Sequence, residues 1–156
     1  MQTHASRLGG QMSKPVILMA DDDRTLLEAV STRLSAAGFE VHSVQDGYMA
    51  VQAARRVRPD VVLLDVSMPA GDGFSVQDRL QNLEARDMPQ FVYMTGSREG
   101  RVTREARAKN AFALVHKPFD GRELAVVLRS AVRQRRARQR AAAERDRDED
   151  LDDRTT

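Results

Sequence analysis

The stretch "DVVLLDVSMPAGDG", residues 60–73, decides how the chain is read. Four apolar residues, Val61 to Leu64, run straight into a carboxylate, Asp65. An unbroken Val-Val-Leu-Leu run is the mark of a strand buried on both faces. A charge at the end of such a strand is costly unless something pairs it. Asp65 therefore needs a purpose. After it come Val-Ser and Met68-Pro69, where the fixed φ of proline ends strand pairing. The chain then turns at Gly71 and Gly73.

Outward from this strand the sequence alternates. "VILMA" (16–20) is an apolar run ending in Asp21, Asp22 and Asp23. Residues 24–38 carry apolar side chains at 26, 27, 30 and 34, a helical stripe with Gly38 as its stop. Residues 39–44 alternate with period two and predict a half-exposed strand. A helix over 47–58 is stopped by Pro59, and another over 73–83 carries Phe74, Val76 and Leu80. Pro89 opens a strand over 90–95. A helix of weak apolar character follows over 98–110, then a short strand over 111–116. The last helix covers 120–144, with Asp120 as its N-cap. Five strands alternating with five helices predict an α/β domain with a parallel sheet covered on both faces. Ligands of such sheets bind outside the carboxyl ends of the strands.

The polar residues at those ends are consistent with one common pocket. Strand one ends in Asp21 and Asp22, strand three in Asp65, strand four in Thr95 and strand five in Lys117. Clustered carboxylates repel, and without compensation one would keep its proton. Mg²⁺, a hard cation with oxygen ligands and retained waters, removes that conflict and leaves room for a phosphoryl oxygen. Lys117 supplies a point positive charge suited to phosphate. Thr95 supplies a hydrogen-bond donor. A carboxylate can act as nucleophile and form an aspartyl phosphate, and Asp65 on the central strand is the best placed. Asp23 is read as a loop-capping residue, and His116 as facing away from Lys117.

These pieces together resemble the receiver domain of two-component response regulators. The matching segments are "ILMADDD", "LLDVSMPAGDGF", "YMTGS" and "VHKPF", in order and each at a strand's carboxyl end. The resemblance implies a flavodoxin-like (βα)5 doubly wound sheet with strand order 2-1-3-4-5. It implies that Asp65 accepts a phosphoryl group from a histidine kinase or histidine phosphotransfer protein. Mg²⁺ would be held by Asp21, Asp22, Asp65 and the backbone carbonyl of Ser67. Lys117 would contact the phosphoryl group, and Thr95 would move to it, shifting the face formed by helix four, strand five and helix five for partner binding. Such a domain catalyses only its own phosphorylation and dephosphorylation. The sequence departs from the family at Leu114, where an aromatic is usual, and at Asn110, where a glycine is common. Phe112, two residues away, is expected on the same strand face as Leu114 at another depth. Intact phosphorylation chemistry with an atypical readout is the expectation.

Bulk properties narrow the classes. The chain has 156 residues, 41% hydrophobic and 31% charged, with no cysteine, which excludes disulfide frameworks and thiolate metal sites. Its apolar runs fall short of a membrane span and its start has no secretory core, so a cytoplasmic protein is expected. Residues 1–13 read as a flexible leader, 14–133 as the receiver, and 134–156 as a charged helical extension ending in a disordered tail. That tail sets five arginines within 133–140 ahead of a mostly acidic 144–153. It is too short for a helix-turn-helix output domain, so the protein reads as a stand-alone receiver. The arginines could touch nucleic-acid phosphates, but the acids behind them weigh against it. A homodimer through helices four and five is compatible with the sequence, and the downstream protein partner is not specified by it. Two other readings are a phosphate-independent interaction module, favoured by Leu114, and a nucleic-acid-binding regulator using the arginine-rich tail.

Overall fold

Val61–Asp65 is the middle strand of the sheet, and all five of its residues are buried. The computed structural model describes residues 13–154. Its elements alternate without exception: β1 (Val16–Ala20), α1 (Arg24–Ala36), β2 (Glu40–Val44), α2 (Gly47–Val57), β3 (Val61–Asp65), α3 (Gly73–Arg79), β4 (Gln90–Thr95), α4 (Gly100–Ala108), β5 (Ala113–His116) and α5 (Gly121–Asp153). All strand pairs are parallel, in the order β2-β1-β3-β4-β5. This is the flavodoxin-like doubly wound sheet that the alternation and the resemblance predict.

Period-two alternation sends successive side chains to opposite faces. Leu18, Ala20, Val62, Leu64, Phe91 and Tyr93 pack under α2, α3 and α4. Ile17, Met19, Val61, Leu63, Val92 and Met94 pack under α1 and α5. The edge strand β2 stays half-exposed, as its alternating sequence predicts.

Aspartates start four of the five helices. Asp23, Asp46, Asp72 and Asp120 each accept a backbone N–H of the first turn, at 3.1, 2.7, 2.8 and 2.7 Å. Each such cap contributes about 1 kcal/mol. Asp23 and Asp120 thus hold the capping roles read from the sequence.

Three elements differ from expectation. Helix α3 ends at Arg79, and the chain to Leu83 tightens into i→i+3 bonds, including Leu83 N–H to the Leu80 carbonyl at 3.1 Å. Strand β5 begins only at Ala113, because Asn110 has φ 56° and residues 110–112 form a bend. Phe112 therefore does not share a face with Leu114. Phe112 packs on the α1/α5 side and Leu114 on the opposite side. Strand alternation cannot be extended back through a bend. Finally, the expected disordered tail is helical: α5 continues past Glu144 to Asp153. A run of alanines at 141–143 between long charged side chains favours helix, and no glycine or proline interrupts it. The expected leader lies outside the described residues except for Ser13.

A buried ion cluster fastens α5 beneath the sheet. Asp60, just ahead of β3, accepts the Val16 N–H at 2.9 Å and pairs with Arg135 at 2.9 Å and Arg136 at 3.4 Å. Arg135 is 6% exposed and also donates to the Met88 carbonyl at 3.1 Å. Arg136 reaches the Ser13 carbonyl at 2.9 Å. This cluster sits at the amino ends of β1 and β3, opposite the polar strand ends.

Candidate functional site

At the carboxyl ends, parallel registry determines which residues meet. Ala20 lies beside Leu64, so the residues that follow, Asp21 and Asp65, emerge side by side. Asp65 lies beside Met94, one residue before Thr95. Lys117 follows β5 directly, its N–H donating to the Thr95 carbonyl at 2.7 Å. The Lys117–Pro118 peptide bond is cis.

The side chains converge accordingly. Carboxylate oxygens of Asp21, Asp22 and Asp65 all lie within 4.8 Å of one another. Asp21 is 0% exposed and Asp65 7%, whereas Asp22 is open to solvent. Lys117 Nζ donates to Asp21 Oδ2 at 2.5 Å and stands 3.3 Å from Asp65 Oδ2. Asp21 Oδ1 accepts the Asp23 N–H at 2.9 Å, and Asp65 Oδ1 accepts the Ser67 N–H at 3.2 Å. One ammonium thus serves two buried carboxylates, with a third beside them.

Titration reflects that imbalance. Burial, and then the Asp21 charge, push the Asp65 carboxyl above its ordinary range, against the opposing pull of Lys117 and the Ser67 N–H. Burial pulls the Lys117 ammonium down, but Asp21 and Asp65 outweigh it and leave it above its ordinary range. A divalent cation with oxygen preference would supply the missing positive charge. The donor set, three carboxylates with no sulfur or imidazole, fits such an ion.

Thr95 is buried at the edge of this cluster. Its Oγ1 accepts the Ser97 N–H at 3.0 Å, which leaves its hydroxyl hydrogen to donate. His116 pairs in register with Thr95 at the end of β5. Leu114 pairs in register with Tyr93, whose hydroxyl donates to Gln77 Oε1.

Gly73 has a role that the sequence reading did not assign. A Cβ there would lie 2.6 Å from the Asp65 carbonyl oxygen, so only glycine lets α3 start against the backbone of Asp65. The Gly73 N–H also donates to the Val66 carbonyl at 3.2 Å. A second glycine in a loop already rich in them gives no signal of this closeness.

Residues 17–129 match the family described as the response regulator receiver domain. The chain belongs to that family. Among curated relatives, this receiver is 34% identical over 116 residues to the regulatory protein AtoC of Escherichia coli, covering 74% of this chain and 25% of AtoC. It is 32% identical over 134 residues to the transcriptional regulatory protein PrrA of Mycobacterium leprae, covering 85% of this chain and 56% of PrrA. The receiver thus spans about half or less of these relatives. Among solved structures, it is similar to a CheY-like receiver domain protein from Methanospirillum hungatei, with TM-score 0.74 and 19% identity over 81% of this chain and 99% of that one. Similarity to the chemotaxis response regulator CheY4 of Vibrio cholerae gives TM-score 0.67 and 25% identity, covering 79% and 99%. Among the described residues no helix is long and apolar enough to cross a membrane.

Proposed function

We propose that Asp65 is the phospho-acceptor of a two-component or phosphorelay pathway, receiving its group from a histidine kinase or histidine phosphotransfer protein. The carrying observation is the buried carboxylate pair that shares one ammonium. In the transfer, an Asp65 oxygen forms the new O–P bond. The P–N bond to the donor imidazole breaks, and the imidazole nitrogen keeps that electron pair. Asp21, Asp22, Asp65 and the Ser67 carbonyl would hold Mg²⁺, which when bound neutralises the oxygens of the transferring group. Lys117 orients and neutralises a phosphoryl oxygen from the other side. Thr95 donates its hydroxyl hydrogen to the phosphoryl group, and giving that bond draws the end of β4 toward Asp65. The chain acts as a switch whose only chemistry is its own phosphorylation and dephosphorylation, in the cytoplasm. Its α4–β5–α5 face would bind a downstream protein or a second copy.

Incubation with Mg²⁺ and acetyl phosphate, followed by intact-mass measurement, tests the reading. One added phosphoryl group is expected, absent in Asp65→Asn and after chelation of Mg²⁺. A wild-type protein that gains no mass from acetyl phosphate or from phosphorylated kinase rejects it. Leu114 favours a second reading, an interaction module that signals without phosphate, because no aromatic occupies the position that usually reports the Thr95 movement. Partner binding that is unchanged between wild type and Asp65→Asn would support that alternative.

A further inference from the structure

We infer that Gln77 and Lys109 pin the carboxyl end of α4 to α3, so that phosphorylation of Asp65 turns α4 about this pin and displaces its amino half. The inference rests on the phospho-acceptor reading of Asp65 and adds the route by which that state is read out.

The two ends of α4 are held differently. Its carboxyl end closes in a Schellman motif, with Asn110 in the left-handed conformation at φ 56°. The Ala111 N–H donates to the Ala106 carbonyl and the Asn110 N–H to the Arg107 carbonyl, each at 3.0 Å. Gln77, on α3, donates from Nε2 to the carbonyl of Lys109, the C-cap of α4, at 2.8 Å. The Lys109 ammonium returns to Asp78 of α3 at 2.5 Å, and its side chain is only 19% exposed. Two polar links therefore join the end of α4 to α3. Gln77 is itself fixed, because its Oε1 accepts the Tyr93 hydroxyl. Tyr93 is fully buried on β4, and its ring packs on Phe74 of α3 with centroids 4.6 Å apart.

The amino end lacks such ties. Among the described helices, α4 alone has no side-chain bond at its N-cap, Glu99, and no acid stands in its first turn. What leads into it is a short relay of hydroxyls. Thr95 Oγ1 accepts the Ser97 N–H at 3.0 Å, and Ser97 Oγ accepts the Glu99 N–H at 3.1 Å. Only Val102 and Ala106 of α4 are buried, so little apolar packing resists a tilt.

Thr95 thus sits at one end of the relay, and Tyr93, two residues earlier on the same face of β4, at the root of the pin. When the Thr95 hydroxyl turns to a phosphoryl group on Asp65, the Ser97 N–H loses its acceptor or follows it. Either outcome displaces the entry to α4 and leaves the pin in place. From Gly100 to Ala108 the helix is a lever of roughly 12 Å. A displacement of about 1–2 Å at its amino end, the scale of helix shifts in switching proteins, tilts it by roughly 5–10°. Leu114, in register with Tyr93, has no polar side-chain atom to add to this route. An aromatic at 114 is not needed for it.

Amide hydrogen exchange on the whole chain in Mg²⁺, with and without acetyl phosphate, tests this, with intact mass read from the same samples. In phosphorylated wild type, amides within 97–103 should exchange roughly five- to tenfold faster, the loss of about one hydrogen bond, while those within 106–111 stay unchanged. Gln77→Leu and Asp78→Ala each cut one link. Both should still gain one phosphoryl group, with the change now extending through 106–111. Asp65→Asn/Gln77→Leu should show no dependence on acetyl phosphate, which separates loss of the pin from general loosening. A wild type that gains no mass rejects the phospho-acceptor reading, and the pin falls with it. Added mass with a uniform change along α4, or with no change within 97–103, overturns the pin alone. So does a response that stays confined to 97–103 in both link variants.

Discussion

Replacing Arg135 with methionine should destabilise the domain by about 3 kcal/mol while leaving phosphorylation intact. Removing one partner of a buried pair costs about 3–5 kcal/mol, because the other charge stays buried without compensation. Asp60 would keep the Val16 N–H at 2.9 Å and Arg136 at 3.4 Å, which places the loss at the low end of that range. Methionine approximates the arginine stem in volume, so a cavity adds little. The bond to the Met88 carbonyl disappears as well. The double variant Arg135→Met/Asp60→Leu removes both charges and strands mainly the Val16 N–H, at about 1 kcal/mol for a lost hydrogen bond. It should therefore be less destabilised than the sum of the single variants, the expected signature of a coupled pair. Urea unfolding with unchanged m-values measures all three. The cluster lies at the end of the sheet away from Asp65, so intact-mass phosphorylation under native conditions should be unaffected. A loss below about 1 kcal/mol for Arg135→Met, or strict additivity in the cycle, would refute the clamp.

Asp65→Asn should stabilise the metal-free protein at pH 7. The folded-state pKa of Asp65 is raised above the ordinary 3.8, so its charged form is disfavoured by folding. The gain should shrink as pH falls through the raised pKa and vanish below 3.8. Each 1 kcal/mol of relief raises Tm by about 2–4 °C for a chain of this size, read by thermal melts in chelator across pH. Mg²⁺ should raise the Tm of wild type, with a stabilisation near 2.7 kcal/mol at about 100 times its dissociation constant, and Asp21→Asn/Asp22→Asn should abolish most of that response. Gly73→Ala should cost about 1–3 kcal/mol, because its Cβ meets the Asp65 carbonyl oxygen. It should also slow phosphorylation from acetyl phosphate, whereas Gly38→Ala, remote from the site, should leave that rate alone.

Much of the fold was legible because it rests on local rules. The limits of β1 and β4 followed from apolar runs bounded by aspartates, a proline and a threonine. The caps at Asp23 and Asp120 followed from residue type and place. The convergence of Asp21, Asp65, Thr95 and Lys117 followed from parallel strands alone, since each ends its strand at the same edge. The side of the sheet taken by Phe112 was not legible, because it depends on the left-handed turn at Asn110. The clamp also escaped, because Asp60 and Arg135 are distant in sequence and the arginines read as part of a charged extension beyond the receiver. One signal was available. Leu124, Leu128 and Ala131 form a helical stripe on the buried face of α5, and the next position on that stripe is Arg135.

The middle strand carries an aspartate at each end, and the contrast between them distinguishes a structural carboxylate from the proposed phospho-acceptor. At its entrance, Asp60 is held by two guanidinium groups and a backbone N–H, so its oxygens are committed. At its exit, Asp65 has one N–H and a lysine it must share with Asp21. The same side chain, at similar depth and five residues along one strand, keeps lone pairs to spare only at the second position. The reactivity proposed for Asp65 would rest on acceptor capacity that the fold has left unspent.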